Sequence, residues 1–482
     1  MKIICLSIIC LSIYCRPVAA AEELPPIKVS DNGRFLITED GNPFFWLGDT
    51  AWPLIVKSTR EKTKQQPGIE LFFKNRAQKG FNVLQLIATG FSQHPKNAYG
   101  FPAFRNDDFS KPMTKPGLEN DYWDYVDYIV DLSHQYGIYL ALLPVWGGRL
   151  DREHPMVKNP CIAYTYGHFL GTRYKNKTHI IWIMGGDPYK SGTSAQNSKR
   201  LAMVRAMAEG ITDAVNGEND FNGLADYTTT LMSYHPQGRG YSSGRFLHME
   251  TWLDFNMIQS SSHLVFWTYE TIQKDYNQWP RKPTFECEAA YEYSKSLYEF
   301  EKNSRRINAW DTRRAAYWSL FAGGFGFTYG HRCFVLWATQ GETLGRGADK
   351  PWNEKLDSEG AFQMGHLKEL MESRPFLTRI PDQSLLVNPQ GNDYSHIQAT
   401  RDATGSYALF YTPVGKPISV RMWKLSGNFM RCSWFNPRKG TYQRINPKET
   451  PTFGDKTFYP PTRGEGQDWI LVLDAVGKET DD

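Results

Sequence analysis

The chain has 482 residues, with 55 Lys and Arg against 51 Asp and Glu, and 14% of it is aromatic. This near-neutral balance, with no basic stripe interleaved with aromatics, argues against a nucleic-acid partner. The length exceeds the roughly 250 residues of a barrel domain and leaves room for a smaller second unit.

Chain order begins with Lys2, an apolar run from Ile3 to Tyr14, then Arg16, Pro17 and the small residues Val18-Ala19-Ala20-Ala21. That order is the pattern of a cleaved secretory signal peptide over residues 1–21, so export to the periplasm or the cell exterior is expected. The run is shorter than the roughly 20 residues of a membrane span. No later segment is apolar enough either, so the mature chain is expected to carry no integral membrane segment. Bulky Ile9 and Tyr14 precede Cys10 and Cys15, which argues against lipidation. Removing Lys2 and Arg16 leaves 53 basic residues against 51 acidic ones. Outside the leader lie Cys161, Cys287, Cys333 and Cys432; without C-x-x-C spacing or a paired His they disfavour a zinc site. Their pairing is left open, and neither a metal nor a cofactor is expected.

From 27 to 380, short apolar runs alternate with helical stretches, the pattern of βαβ units around a parallel sheet. A hairpin turning at Glu39-Asp40-Gly41 precedes the first run, Phe44 to Asp49. Phe81 to Ile87, Ile138 to Pro144 and Ile180 to Asp187 follow. Thr229 to His235 and Phe255 to Ser261 are expected as the fifth and sixth strands, Lys282 to Glu288 as the seventh and Gly326 to Gly330 as the eighth. A sheet buried on both faces requires runs of this kind. Asp121 to Tyr136 sets Tyr122, Val126, Ile129 and Val130 on one helical face, and Gly137 stops it. Leu201 to Val215 repeats that spacing, and Asp311 to Ala322 and Ala361 to Met371 supply two further helices. The expected fold class is α/β, a (β/α)8 TIM barrel. A doubly wound sheet is the alternative, disfavoured because no Gly-rich phosphate loop follows any strand.

Beyond residue 380 only strand and turn signals remain. Tyr407 to Tyr411, Ile418 to Met422, Met430 to Phe435 and Trp469 to Leu473, with turns at Gly415, Gly427 and Gly440, predict a small antiparallel β-sandwich over 381–482. The connection from Pro375 to Asp382 is short, so the sandwich is expected to pack on the barrel.

A barrel enzyme works at the C-terminal ends of its strands, where Asp49, Asp187 and Glu288 each fall. Gly185-Gly186 ahead of Asp187 permits a tight turn and close ligand approach. Glu286 stands two residues before Glu288, and period-two alternation points both toward the barrel mouth. Paired acids, one of them kept protonated, are what cleavage of a glycosidic bond needs. Asp187 and Glu288 are therefore the candidate catalytic pair, with Asp49 and Glu286 as candidate hydroxyl ligands. Gln85 alternates with apolar residues and is expected in the cleft, while His235 is placed to bind a hydroxyl or orient a carboxylate. Trp146, Trp252, Tyr329 and Trp337 lie in strand-end loops as candidate stacking platforms, because aromatic faces suit sugar rings. A barrel that captures glycan without cutting it would tolerate loss of either acid. Both are present, which favours an enzyme.

Several segments together resemble one family. Gly33-Arg34-Phe35, Phe45-Trp46-Leu47-Gly48-Asp49-Thr50-Ala51-Trp52, Gly80-Phe81-Asn82-Val83-Leu84-Gln85, Trp182-Ile183-Met184-Gly185-Gly186-Asp187, Tyr234-His235-Pro236 and Lys282-Pro283 through Glu288 to Tyr291-Glu292 are similar to the apiosidase-like glycoside hydrolases, glycoside hydrolase family 140. The resemblance implies a (β/α)8 barrel, an acid/base at Asp187 and a nucleophile at Glu288. It further implies hydrolysis of apiosyl linkages in rhamnogalacturonan II, a pectic polysaccharide, so the expected partner is a plant cell-wall oligosaccharide or polysaccharide met by a monomer. Where the family commonly reads Asp-Gly-Glu-Pro, this chain has Glu286-Cys287-Glu288-Ala289, which alters the floor of the site. Another plant-wall glycoside, such as an arabinofuranoside or galactoside, is the alternative substrate. Trp434 to Gly440 and Asp468-Trp469 resemble a C-terminal domain labelled as collagen-binding.

Overall fold

Eight short strands, apolar on both faces, assemble the barrel: β1 (Trp46–Thr50), β2 (Val83–Ile87), β3 (Tyr139–Leu143), β4 (Ile180–Ile183), β5 (Met232–Ser233), β6 (Asn256–Gln259), β7 (Thr284–Glu286) and β8 (Gly326–Thr328). The computed structural model describes residues 23–147, 157–187, 194–238, 241–260, 268–295, 305–387, 391–446 and 448–476. The leader and Ser261, the expected end of the sixth strand, lie outside the described residues. The parallel strands pair in the order β5-β4-β3-β2-β1-β8-β7-β6, and Tyr241–Ser242 adds antiparallel to β6. The fifth strand is shorter than its sequence run because Tyr227–Thr229 forms a 3-10 turn instead. Between β5 and β6 the circle is bridged rather than laddered. Asp254 N donates to Met232 O at 2.9 Å, and Met232 N donates to the Asp254 carboxylate at 2.6 Å.

Register decides which strand residues reach the mouth. Trp46 packs inside the barrel, 4.9 Å from Phe285 and 5.9 Å from Phe255 between ring centroids, and its indole donates to Thr328 Oγ1 at 3.0 Å. Gly48 lies on that same inner face, where an added Cβ would stand 2.6 Å from Trp46 Nε1. With a period of two, Leu47 and Asp49 must then face the surrounding helices.

The helices on either side of β4 fix the strand that leads to Asp187. Asn159 caps Pro160–Tyr174, accepting from Ile162 N, and proline opens the first turn. Pro160–Tyr174 crosses Ser194–Asn216 at such short range that a Cβ on Gly167 would meet Met207 O at 2.3 Å, and one on Gly210 would meet Tyr164 O at 2.2 Å. Asp121 caps Tyr122–Gln135 with a reciprocal capping box.

Beyond the barrel, strands in the order Arg379–Pro381, Gln398–Asp402, Tyr407–Thr412, Trp469–Ala475, Phe429–Asn436, Thr441–Arg444 form an antiparallel sheet, and Thr450–Pro451 adds to Phe429–Asn436. Ile418–Arg421 pairs with Asp455–Phe458 in a second, two-stranded sheet. Alternation sends Ala408, Phe410, Leu471 and Leu473 into the core between the two sheets. It sends Tyr407, Leu409, Tyr411, Ile470 and Val472 into the core of the barrel. The two units thus share one continuous apolar interior. Residue 380 falls inside the strand Arg379–Pro381, so the chain enters the sheet without a linker.

Helix Ala309–Phe321 lies in this junction, and all 13 of its residues are buried. Such a helix needs partners all round, including polar ones. Arg313 makes a bidentate pair with Asp468, Nε to Oδ2 at 2.8 Å and Nη2 to Oδ1 at 2.7 Å. Tyr411 OH donates to the same carboxylate at 3.1 Å, and the Trp310 and Trp318 indoles donate to Pro413 O and His396 O, both at 2.9 Å. Among the described residues Cys161, Cys287, Cys333 and Cys432 are all free thiols. No helix among them is long and apolar enough to cross a membrane.

Candidate active site

At the end of β4 the backbone leaves the sheet through Gly185, at a φ of +124° open to glycine. Its carbonyl accepts from His235 N at 3.2 Å, joining the end of β4 to the end of β5. The Gly186 carbonyl accepts from Gly147 N at 2.7 Å, and the Asp187 carbonyl accepts from Tyr234 OH at 3.0 Å. Trp146 lies flat against this turn, since a Cβ on Gly186 would come within 2.4 Å of its ring. Asp187 itself sits at φ +44°, the left-handed region that Asp and Asn tolerate better than most residues.

At the end of β7 alternation is broken. Cys287 N and Glu288 N both donate to Ile258 O, at 2.9 and 3.4 Å, as in a β-bulge. The bulge turns Glu288 toward the mouth, where its Oε2 lies 3.3 Å from His235 Nε2. Tyr291, in the loop beyond, and Arg332, after β8, bring a phenol and a cation within electrostatic reach of Glu288. His235 is wedged between Trp52 and Trp146, at centroid distances of 5.1 and 5.8 Å. Below, Gln85 Nε2 donates to Cys287 O at 2.9 Å and Thr50 Oγ1 at 3.2 Å, tying β1, β2 and β7 together. The Cys287 thiol is pushed well up, by burial first and then by the charges of Glu286, Glu288 and Asp187. Cys287 is thus buried within electrostatic reach of carboxylates from the ends of both β4 and β7.

Two acids at the C-terminal rim of a parallel barrel, backed by aromatics and a histidine, are equipped for glycosidic chemistry. A model for "Apiosidase-like, catalytic domain" matches residues 30–378. The chain belongs to the apiosidase-like glycoside hydrolases. A second match, "Putative collagen-binding domain of a collagenase", spans residues 380–474. A solved glycoside hydrolase is similar at 29% identity with a TM-score of 0.82, over 94% of this chain and 98% of its own. A glycoside hydrolase family 5 structure from Bacteroides vulgatus is similar at 28% identity with a TM-score of 0.81, over 94% of this chain and 93% of its own. No curated protein matches the chain.

In this glycoside hydrolase Asp187, Glu288, Gln85, His235 and Trp146 gather at or directly beneath the mouth; the other candidates do not. Asp49 faces outward and pairs with Arg76 Nη1 at 2.9 Å, both side chains 1% exposed, and burial outweighs that cation to hold its carboxyl at about 6. Tyr329 shares that outer face and donates its hydroxyl to Glu292 at 2.5 Å. Trp337 follows β8 but is sealed in, stacked 4.5 Å from Trp352 with its indole donating to Gln66 Oε1 at 2.9 Å. Trp252 precedes β6, so it lies at the opposite end of the barrel, where its indole donates to Glu250 at 3.0 Å. These four are structural residues rather than parts of the cleft. Three residues that were not candidates, Trp52, Tyr291 and Arg332, also lie around Glu288 and His235. The motifs Ala51-Trp52 and Tyr291-Glu292 were the only signal for the first two, and Arg332 had none.

Glu286 is likewise turned away. Phe285 packs inside the barrel against Trp46, which puts Glu286 on the outer face, fully buried and accepting from Ser260 N at 3.1 Å. Burial pushes its carboxyl from an ordinary 4.5 up to about 8. The folded state therefore holds this proton more tightly than the unfolded state. The linked stability is full below about 4.5 and lost as pH rises through about 8. Glu286→Gln, which cannot ionise, should melt increasingly above wild type as pH is raised from about 5 to 9. A constant difference in Tm across that range would mean that Glu286 is ionised in the fold throughout.

Glu209, Asp213 and Asp220 are the described residues grouped closely enough to share a metal ion, with ligand atoms within 4.8 Å of one another. They lie on and just beyond Ser194–Asn216, toward the end of the barrel opposite the mouth, so they take no part in bond cleavage there.

Proposed function

We propose that the protein is exported and hydrolyses apiosyl linkages in rhamnogalacturonan II side chains, with Asp187 as acid/base and Glu288 as nucleophile. The apiosidase-like match over 30–378 supports the sugar class, and the leader pattern of residues 1–21 supports export. The observation that carries the chemistry is that His235 joins the two strand ends, its backbone N bonded to Gly185 O in the turn that leads to Asp187 and its Nε2 3.3 Å from Glu288 Oε2.

Glu288 attacks the anomeric carbon, forming a C–O bond as the glycosidic C–O bond breaks. Asp187 gives its proton to the departing oxygen. In the second half Asp187 takes a proton from water, the water oxygen attacks the same carbon, and the ester bond to Glu288 breaks. Glu288 must be ionised for this. The Arg332 cation, the Tyr291 hydroxyl and His235 Nε2 are the groups gathered around its charge. Trp146, half-exposed over the turn that carries Asp187, offers a stacking face to the sugar.

Direct attack requires the two carboxyl groups to approach to roughly 5–5.5 Å and yields net retention of anomeric configuration. NMR of the first-formed sugar, recorded before mutarotation, should therefore show the configuration of the substrate. An inverted product would make Glu288 a base acting through water. For the substrate, fractionated pectic side chains should release apiose. Release of arabinose or galactose instead would move the specificity to another plant-wall glycoside.

A further inference from the structure

Glu288 is gripped by side chains from several strand ends, and two of those grips converge on Trp52, which lies directly after β1 and is 3% exposed. The Trp52 indole donates to Tyr291 OH at 3.2 Å. An indole nitrogen can only donate, and a phenol has a single hydrogen. With its oxygen accepting from Trp52, Tyr291 has its one hydrogen free to turn toward Glu288, whose charge acts on the phenol. The tyrosine ring cannot swing away. It is buried beside the Arg332 guanidinium, 5.1 Å from its centroid, and Arg332 Nε is itself held by Ser294 Oγ at 3.2 Å.

The second grip is steric. The Trp52 ring stands perpendicular to His235, at 89° and 5.1 Å, and Trp146 closes the other side at 5.8 Å. His235 is thereby fixed with Nε2 3.3 Å from Glu288 Oε2. Trp52 O accepts from Ile87 N at 3.1 Å, which anchors the tryptophan backbone to the end of β2.

We propose that Trp52 is a positioning residue that aims Glu288 by setting the hydrogen of Tyr291 and the ring of His235. This rests on Glu288 being the nucleophile. The other charged or titratable groups near Glu288 are Cys287 on its own strand, Asp187 from β4 and Arg332 after β8, with Glu286 acting from the outer face of the same strand. None of them substitutes for a neutral donor in a fixed direction.

The test compares Trp52→Phe, which keeps a ring but loses the N–H, with Tyr291→Phe and Glu288→Gln in the full-length enzyme on an aryl apioside. Tyr291→Phe should lower kcat roughly 10- to 100-fold, the size of a lost hydrogen bond to a charged group. KM should stay close to wild type. The acidic limb of kcat/KM should move up by about one pH unit, because a donor that favours the charged carboxylate is gone. Trp52→Phe should move kcat and the limb in the same direction by less, with Tm near wild type. A raised KM with unchanged kcat would make these residues substrate contacts and overturn the proposal. So would a wild-type kcat and acidic limb in both variants while Glu288→Gln is dead. Should Glu288→Gln stay active, the reading of Glu288 as nucleophile fails first.

Discussion

Asp187→Asn should fold normally and turn over a natural glycoside about 100- to 10,000-fold more slowly, the range for loss of a general acid. The fold is expected to survive because Asn tolerates the φ of +44° that this position requires. Glu288→Gln should fall further, since a carboxamide cannot form the ester through which the reaction passes. Aryl glycosides separate the two roles. A good leaving group needs little protonation, so it should partly restore Asp187→Asn and leave Glu288→Gln inactive. Near-wild-type turnover by either purified variant would remove that residue from the mechanism.

The largest expected effect on stability lies far from the mouth, at the Arg313–Asp468 pair, whose side chains are 2% and 0% exposed. Asp468→Asn would leave the Arg313 guanidinium without a countercharge inside the junction, with an NH2 in place of one of its acceptors and Gln363 Oε1 still bonded. Breaking one partner of a buried pair costs about 3–5 kcal/mol, which urea unfolding should show. The Arg374–Asp474 pair is the control. Its geometry is equally bidentate, at 2.7 and 2.9 Å, but Asp474 is 34% exposed. Asp474→Asn should cost only about 0–1 kcal/mol. Equal losses from the two variants would show that water reaches Arg313. Truncation after residue 378 removes both carboxylates and uncovers Tyr317 and Trp318, so an insoluble barrel is expected.

The sequence made the barrel strands legible because a sheet covered on both faces must be apolar throughout, and runs such as Ile180 to Met184 leave little else to be. It made the strand-end acids legible for the same reason: Asp187 and Glu288 interrupt apolar runs. Which face an acid takes was harder. Asp49 and Glu286 look equivalent to the catalytic candidates until the register of β1 against β8 puts Trp46 and Phe285 inside and the two acids outside. The bulge that returns Glu288 to the mouth is a backbone event without a glycine to announce it. Trp252 was misplaced because loops at the two ends of a barrel look alike in composition. Trp52, Tyr291 and Arg332 lie over 200 residues apart at the extremes and meet only when β1, β7 and β8 become neighbours. Helix Ala309–Phe321 was legible as a helix, while the sheet that buries its other side lies far along the chain, beyond any local pattern.

That sheet also sets the order in which the molecule can be finished. Trp469–Ala475 is the last described strand in the chain, yet it sits in the middle of the sheet, between Tyr407–Thr412 and Phe429–Asn436. Its two partners in the sheet both precede it in the chain. Until it inserts, both neighbours have an open hydrogen-bonding edge and helix Ala309–Phe321 has an uncovered flank, so the folding chain waits with unpaired edges and apolar surface exposed. Closing the structure depends on one segment slotting between strands already in place, at large sequence separation from Arg313 and Tyr317. Pairing of that kind is slow. The interval before that insertion is when this enzyme is most open to proteolysis and to self-association.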